Sequence, residues 1–334
     1  MALLTIEKMY TTFHIAVGDV QAVRGLSLHV DEGESIGIVG ESGSGKSVSM
    51  LSVMGLLSAN CQVEAKAIRF DGRDLTGLPK REIRKMLGKD ISMIFQDPMT
   101  SLNPLYTIGD QLTEGIRLHL KYDRKKAREL ALEMLRLVEM PSPESRLKQY
   151  PHEFSGGMRQ RAMIAMAIAC NPKLIIADEP TTALDVTIQA QILDLLRGLK
   201  DKLQASIIMI THDLGVITNM CSRVMVMYGG IVVEEGTTRE IFYEPKHPYT
   251  WGLLRSIPRV KEDQHEKLIP IPGSPPDMLK PPKGCPFAPR CPYAMLACKD
   301  YIPADTWLSG THRAACHLLH PNAPKVVREE GFHE

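Results

Sequence analysis

The sequence predicts an α/β fold in four parts: an antiparallel β subdomain, a parallel-sheet core, an α-helical subdomain, and a proline-rich C-terminal extension dominated by loops. Three observations carry this reading. A short apolar strand at 35–40 runs straight into a glycine-rich loop and an uncharged helix. Two further continuous apolar runs, 173–178 and 206–211, flank an amphipathic helix at 187–203. Twelve prolines then crowd between Pro245 and Pro292.

Taken in chain order, 3–13 and 20–30 mix apolar and β-forming residues, and the turn Asp31-Glu32-Gly33-Glu34 follows, which predicts antiparallel strands. The strand at 35–40 feeds the loop, and 46–57 suits a buried helix because nothing after Lys46 is charged. From about 97 to 172 the pattern is helical. Within it, 124–138 sets Leu130, Met134, Leu135 and Val138 at helical spacing with charges between them. Strand, helix and strand over 173–211 form a right-handed crossover unit. After Glu244 the prolines each remove a backbone donor and fix φ, which predicts loops and turns. These shifts divide the chain into a domain at 1–244, an extension at 245–325 and a tail at 326–334, expected to be mobile.

Composition narrows the function. The chain is 44% hydrophobic and 24% charged, enough to bury a sizeable core over 334 residues. Its 40 Lys+Arg nearly cancel 39 Asp+Glu, so no field of one sign draws it to nucleic acid. The N-terminus lacks a basic start followed by an apolar signal run, and no stretch reaches the length of a membrane span, so a cytoplasmic protein is expected.

Gly40-Glu41-Ser42-Gly43-Ser44-Gly45-Lys46-Ser47 carries the chemistry. Its glycines let the backbone curl so that N–H groups converge on phosphate oxygens, and the following helix adds its positive end. In such a loop Lys46 reaches the β- and γ-phosphates and Ser47 ligates Mg²⁺. Asp178-Glu179, ending an apolar strand, supplies a carboxylate for the metal shell and one for a water; in isolation the pair would be only a cap or a solvated turn. Ser155-Gly156-Gly157-Met158-Arg159-Gln160 caps a further helix and offers a second anion-binding end, although alone it reads as an ordinary N-cap.

Together these residues resemble the nucleotide-binding subunit of an ATP-binding-cassette transporter over residues 3–240. Gly40 to Ser47 correspond to Walker A, Gln96 to the glutamine loop, Ser155 to Gln160 to the signature, 174–179 to Walker B, Ala183-Leu184-Asp185 to the D-loop and His212 to the switch. The resemblance implies a P-loop NTPase cassette with a RecA-like core. It also implies that the signature of one subunit closes on ATP held by another. Gly40, Ser42, Gly43, Gly45, Lys46, Ser47 and Asp178 would then bind ATP, with Mg²⁺ on Ser47, Gln96 and Asp178. Glu179, His212 and Gln96 would be catalytic, and Ser155, Gly156, Gly157, Gln160 and Asp185 would reach ATP in trans. The family usually stacks an aromatic ring on adenine; Phe13 is the match, Tyr10 the alternative, and a core role for Phe13 stays open. Phe154 and Thr182 depart from the commoner Leu and Ser.

The tail sharpens the resemblance. His247-Pro248-Tyr249-Thr250, Pro272-Gly273-Ser274-Pro275-Pro276 and Arg290-Cys291-Pro292 resemble the oligopeptide and dipeptide importer branch, with nickel-peptide and antimicrobial-peptide relatives close by. Cys285, Cys291, Cys298 and Cys316 follow a C-x5-C-x6-C-x17-C pattern without paired C-x2-C knuckles. By that resemblance they hold a 4Fe-4S cluster, with Zn²⁺ or unligated thiols as alternatives. The implied partners are a second ATPase subunit of a different chain, two membrane permease subunits and an extracytoplasmic peptide-binding protein, with this chain peripheral on the cytoplasmic face. Two rivals are weighed. A soluble cassette ATPase of translation or repair usually carries two cassettes or a coiled-coil insertion, and the sequence has neither. A regulatory module that has lost hydrolysis is opposed by Gln96, Glu179 and His212.

Overall fold

A computed structural model describes residues 1–182, 184–257 and 270–326. Apart from residue 326, the tail expected to be mobile lies outside the described residues, as do Ala183 of the D-loop and Pro258. The strands are β1 (Ala2–Ile15), β2 (Gly18–Asp31), β3 (Ser35–Val39), β4 (Cys61–Glu64), β5 (Ala67–Phe70), β6 (Arg73–Asp74), β7 (Ile91–Ile94), β8 (Leu174–Asp178), β9 (Ser206–Thr211), β10 (Arg223–Tyr228), β11 (Ile231–Thr237), β12 (Thr306–Trp307) and β13 (Arg313–Ala314). The described residues form two compact units, one within 1, 31–34 and 78–209, the other within 2–30, 35–77 and 210–326.

In the first unit β7 and β8 pair in parallel, Ile91 opposite Leu174, and every residue of both strands is buried. Strands covered on both faces must be apolar throughout, which is why 174–178 reads as an unbroken run. The helices of 98–168 follow from their caps and stripes. Thr107 accepts from the Asp110 N–H at 3.1 Å, and Asp123 from the Lys126 N–H at 2.8 Å. The helix Arg124–Leu137 buries Ala127, Ala131, Met134 and Leu135, one face at four- and seven-residue spacing. Asp185 caps Val186–Leu203 by accepting from Ile188 N–H at 2.9 Å.

In the second unit β1 is the hub of an antiparallel sheet, flanked by β2 and β5 and joined by β4, with β6 beyond β5. The strands β4 to β6 had no counterpart in the sequence reading, since segments of two to four residues fall below the window in which alternation is legible. A second set runs β12, β13, β11, β10, β3, where β3 and β10 are parallel and the rest antiparallel. Gly37 in β3 is there for space: a Cβ would come within 2.5 Å of Ile217. The helix expected at 46–57 stops at Val53, because Met54 caps it and Gly55 turns into the left-handed region at φ 63°.

The extension is more structured than its prolines suggested. It forms a helix, Pro248–Arg255, and lends β12 and β13 to the sheet through β11. Pro248 takes the first helical position, where its missing N–H costs nothing. His247, 1% exposed, caps this helix by accepting the Tyr249 N–H on Nδ1 at 3.1 Å. Fully buried Glu234 ties the extension down. Its carboxylate accepts the N–H groups of Lys246 and His247 at 2.6 and 3.0 Å and meets His312 Nε2 at 2.8 Å.

Burial pushes the His247 imidazole from its ordinary 6.5 down to about 3. The unfolded chain therefore gains a proton that the folded chain refuses, and this stability, intact above pH 6.5, is lost as the pH falls toward 3. A urea series across that window is expected to show a falling midpoint, and His247→Asn, which keeps a capping oxygen without the titration, is expected to flatten the slope.

Candidate functional site

The loop at 40–47 links β3 to the helix Lys46–Val53, in the second unit. Two of its glycines are required by contact. A Cβ on Gly40, at φ 154°, would run into the Met227 carbonyl, and one on Gly45, at φ 98°, would lie 2.5 Å from the Ala22 carbonyl oxygen. Lys46, 5% exposed, folds back over the loop and donates from Nζ to the carbonyls of Gly40 at 2.6 Å and Glu41 at 3.0 Å. Ser42 and Gly43 are exposed, and Ser47 is half-buried at the start of the helix. A buried ammonium over a turn of glycines beside a helix N-terminus is an anion cradle.

His212 follows β9 in the same unit and is exposed, with Asp213 behind it capping Leu214–Thr218 through the Gly215 N–H at 2.7 Å. Phe13 is half-buried on β1 opposite Cys61, and Tyr10 is 47% exposed opposite Glu64.

The first unit holds the acidic group. Asp178 is buried at the end of β8, and Glu179 follows with φ 46°, a conformation that costs a non-glycine residue energy and tends to persist at working sites. Glu179 Oε2 accepts from Gln96 Nε2 at 3.1 Å and from Thr182 Oγ1 at 2.9 Å. Gln96, 83 residues before Glu179 in the chain, and nearby Thr182 thus meet on one carboxylate oxygen. The sequence marks Thr182 only as a departure from the commoner Ser; in the structure its hydroxyl donates to Glu179.

Ser155 caps the helix Gly156–Ile168, accepting the Met158 N–H at 3.4 Å, and both Ser155 and Gly156 are exposed. A Cβ on Gly157 would come 2.9 Å from Ile188 Cγ2, so glycine there lets this helix start against the start of Val186–Leu203, whereas one on Gly156 would make only ordinary contact with Leu184 at 3.7 Å. Ser155, Gly156 and Asp185 therefore share an exposed region with two helix N-termini. Gln160 is 2% exposed, and its Nε2 has no hydrogen-bond partner among the described residues.

The cysteines form a different kind of cluster. All four are free thiols, and burial raises those of Cys285 to about 11 and Cys316 to about 12, with Cys291 also raised. The charge of each of the other three adds to the shift of Cys316, so the four lie near one another. The donor set suits a four-thiolate centre chemically. Among the described residues no group of three or more His, Cys, Asp or Glu side chains is placed to hold a metal ion. The sequence reading also missed two residues that grip the phosphate loop, Tyr249 and Arg290, whose partner Glu41 lies more than 200 residues away in sequence.

Two family models match the chain: "ABC transporter" over residues 23–182 and "Oligopeptide/dipeptide transporter, C-terminal region" over 233–298. The chain is 53% identical to the oligopeptide transport ATP-binding protein OppD of Bacillus subtilis over 98% of its own length and 92% of that protein. It is 52% identical to the dipeptide transport ATP-binding protein DppD of the same organism, with 97% of both chains covered. OppD of Escherichia coli is 51% identical over 94% of this chain and 92% of that protein. Among solved structures, the ATP-binding cassette MJ0796, dimeric in a post-hydrolysis state with ADP and Pi, superposes with a TM-score of 0.64 at 28% identity. That match covers 71% of this chain and 99% of the other.

Ser155→Ala is expected to cost about 1 kcal/mol of stability, the usual worth of an N-cap, whereas Ser155→Asp keeps the acceptor and should cost little. Urea unfolding of the two variants measures the difference.

Proposed function

This chain belongs to the ATP-binding subunits of oligopeptide and dipeptide ABC transporters, and on that premise we propose that it hydrolyses ATP at a site shared by two cassettes to drive peptide uptake. The observation that carries the proposal is the carboxylate of Glu179, held at the end of a buried strand by Gln96 and Thr182.

In this reading the N–H groups of the 40–47 loop and Lys46 bind the β- and γ-phosphates, and Phe13 stacks on adenine. Ser47, Asp178 and Gln96 would hold Mg²⁺, which would neutralise phosphate charge. Glu179 aligns and polarises the water that attacks the γ-phosphorus while the bond to the departing ADP oxygen breaks, and His212 holds the γ-phosphate. Ser155, Gly156 and Gly157 present helix N–H groups to the γ-phosphate of the partner cassette, with Gln160 and Asp185 behind them. The exposure of Ser155 and Gly156 leaves them open to a partner cassette, which supports that role. The dimeric state of MJ0796 with ADP and Pi supports it as well.

The proposed assembly has a second, different ATPase subunit, two permease subunits and an extracytoplasmic peptide-binding protein, with this chain peripheral on the cytoplasmic face. Among the described residues no helix is long and apolar enough to cross a membrane, so a membrane partner would have to supply the channel. The relatives, oligopeptide and dipeptide transport ATP-binding proteins, support oligopeptides or dipeptides as cargo. We also propose that Cys285, Cys291, Cys298 and Cys316 hold a 4Fe-4S centre that staples the extension. The mutual influence of their charges supports it.

Glu179→Gln is expected to lower ATP turnover by a factor of about 10² or more while ATP holds the cassettes together as a stable dimer. Size-exclusion chromatography with ATP and a phosphate-release assay test this; parental turnover would remove Glu179 from its role. For the cysteine centre, anaerobic purification should give about four iron and four sulfide per chain. Zinc on elemental analysis would replace the cluster with the alternative metal, and neither metal would discard the centre.

A further inference from the structure

Glu41 sits inside the phosphate loop, and each of its three polar groups has its own partner. Its carbonyl accepts from Lys46 Nζ at 3.0 Å, its N–H donates to Tyr249 Oη at 2.8 Å, and its carboxylate receives both ends of the Arg290 guanidinium, at 2.5 and 3.0 Å. Two of those three partners come from the extension.

Arg290 is built in rather than draped over the surface. Its side chain is 5% exposed, against 26% for Glu41. A guanidinium has five N–H donors in a fixed fork. Here Nε donates to the Pro272 carbonyl at 2.8 Å, one terminal nitrogen to Glu41 and to Tyr228 Oη at 3.1 Å, and the other to Glu41 and to the Ile271 carbonyl at 3.0 Å. Five bonds for five donors fix the group in position and angle. The rings of Tyr228, Tyr249 and Phe287 pack on one another with centroids 4.5 to 5.3 Å apart, closing water out beside the fork. The backbone adds a second tie. Gly230 N–H donates to the Ser44 carbonyl of the loop at 3.2 Å, while a Cβ on neighbouring Gly229 would come 2.8 Å from Pro286 of the extension.

The charge arrangement says what this clamp is for. A loop that receives polyphosphate is a poor place for a half-buried carboxylate unless a cation cancels it, because repulsion grows as water is excluded. The extension supplies that cation in a bidentate pair, which fixes orientation as well as charge. Arg290 is itself held in a tight turn between two of the clustered cysteines, where Ala288 N–H donates to the Cys285 carbonyl at 3.0 Å and Cys291 N–H to the Ala288 carbonyl at 3.3 Å.

We propose that Arg290, together with Tyr249, is a positioning residue for the phosphate loop, and that through Glu41 the C-terminal extension sets the affinity of this cassette for nucleotide phosphates. The inference rests on the reading that 40–47 binds those phosphates, and the experiment separates the two.

The KM for ATP, the kcat and the MgADP dissociation constant would be measured on the full chain for Arg290→Met, Arg290→Met/Glu41→Gln, Tyr249→Phe and Lys46→Ala. Arg290→Met leaves the carboxylate unpaired, so KM and the dissociation constant are expected to rise about tenfold with kcat changed less. Removing that charge in the double variant is expected to return both to within about threefold of the parent, a rescue that damage to folding would not give. If Arg290→Met does not fold, Tyr249→Phe decides, with a raised KM in support and a parental KM against. Parental constants in Arg290→Met beside weakened binding in Lys46→Ala would overturn this inference alone. Parental binding in Lys46→Ala would overturn the phosphate-loop reading beneath it.

Discussion

The structure turns on a steric constraint: two backbone carbonyls, from Met227 and Ala22, press against the loop at 40–47 so closely that Gly40 and Gly45 have no room for a Cβ. That contact fixes the path of the loop at both glycines. It also explains why the loop is anchored to elements distant in sequence. Met227 belongs to β10, parallel to β3, and Ala22 belongs to β2 of the antiparallel sheet. An anion site made from backbone cannot tune itself by side-chain rotation, so its geometry must be imposed by its surroundings. Lys46 and Glu41 complete the enclosure, one over the loop and one behind it.

The acidic group follows a different logic. Glu179 needs a rigid base and a reason to face one way; buried β8 provides the first, and the two donors on Oε2 the second. Gln96 joins this carboxylate to the helical segment that begins at Pro98, so a shift of that segment would be felt at Glu179 directly.

Much of the candidate site is legible in the sequence because the chemistry proposed for it demands particular residue types at fixed spacing. Glycine at 40, 43 and 45, the lysine after them, the Asp-Glu pair ending an apolar run and the Ser-Gly-Gly cap each have a backbone reason that leaves a trace. Long helices were legible too: the one expected at 187–203 is observed as Val186–Leu203. What could not be read was pairing at a distance. Nothing local in Arg290-Cys291-Pro292 says that its guanidinium reaches Glu41, 249 residues earlier in the chain. The two-residue strands β12 and β13 owe their existence to the edge of β11 and carry no period of their own. Nor does cysteine spacing report whether thiols converge, since side-chain direction in loops is set by packing.

Glu234 has a consequence for how the chain can be handled. Its carboxylate lies wholly inside the protein, and the partners that satisfy it, the N–H groups of Lys246 and His247 and the ring of His312, all come from beyond residue 244. A shortened chain ending at the last residue of the motif-bearing region would inherit an internal acid with no donors, so the boundary drawn from composition at 244 is not a place to cut. Chimeras between members of this family should exchange β11 and the segment through His312 as one cassette of sequence, because the acid and its donors are useful only as a matched set.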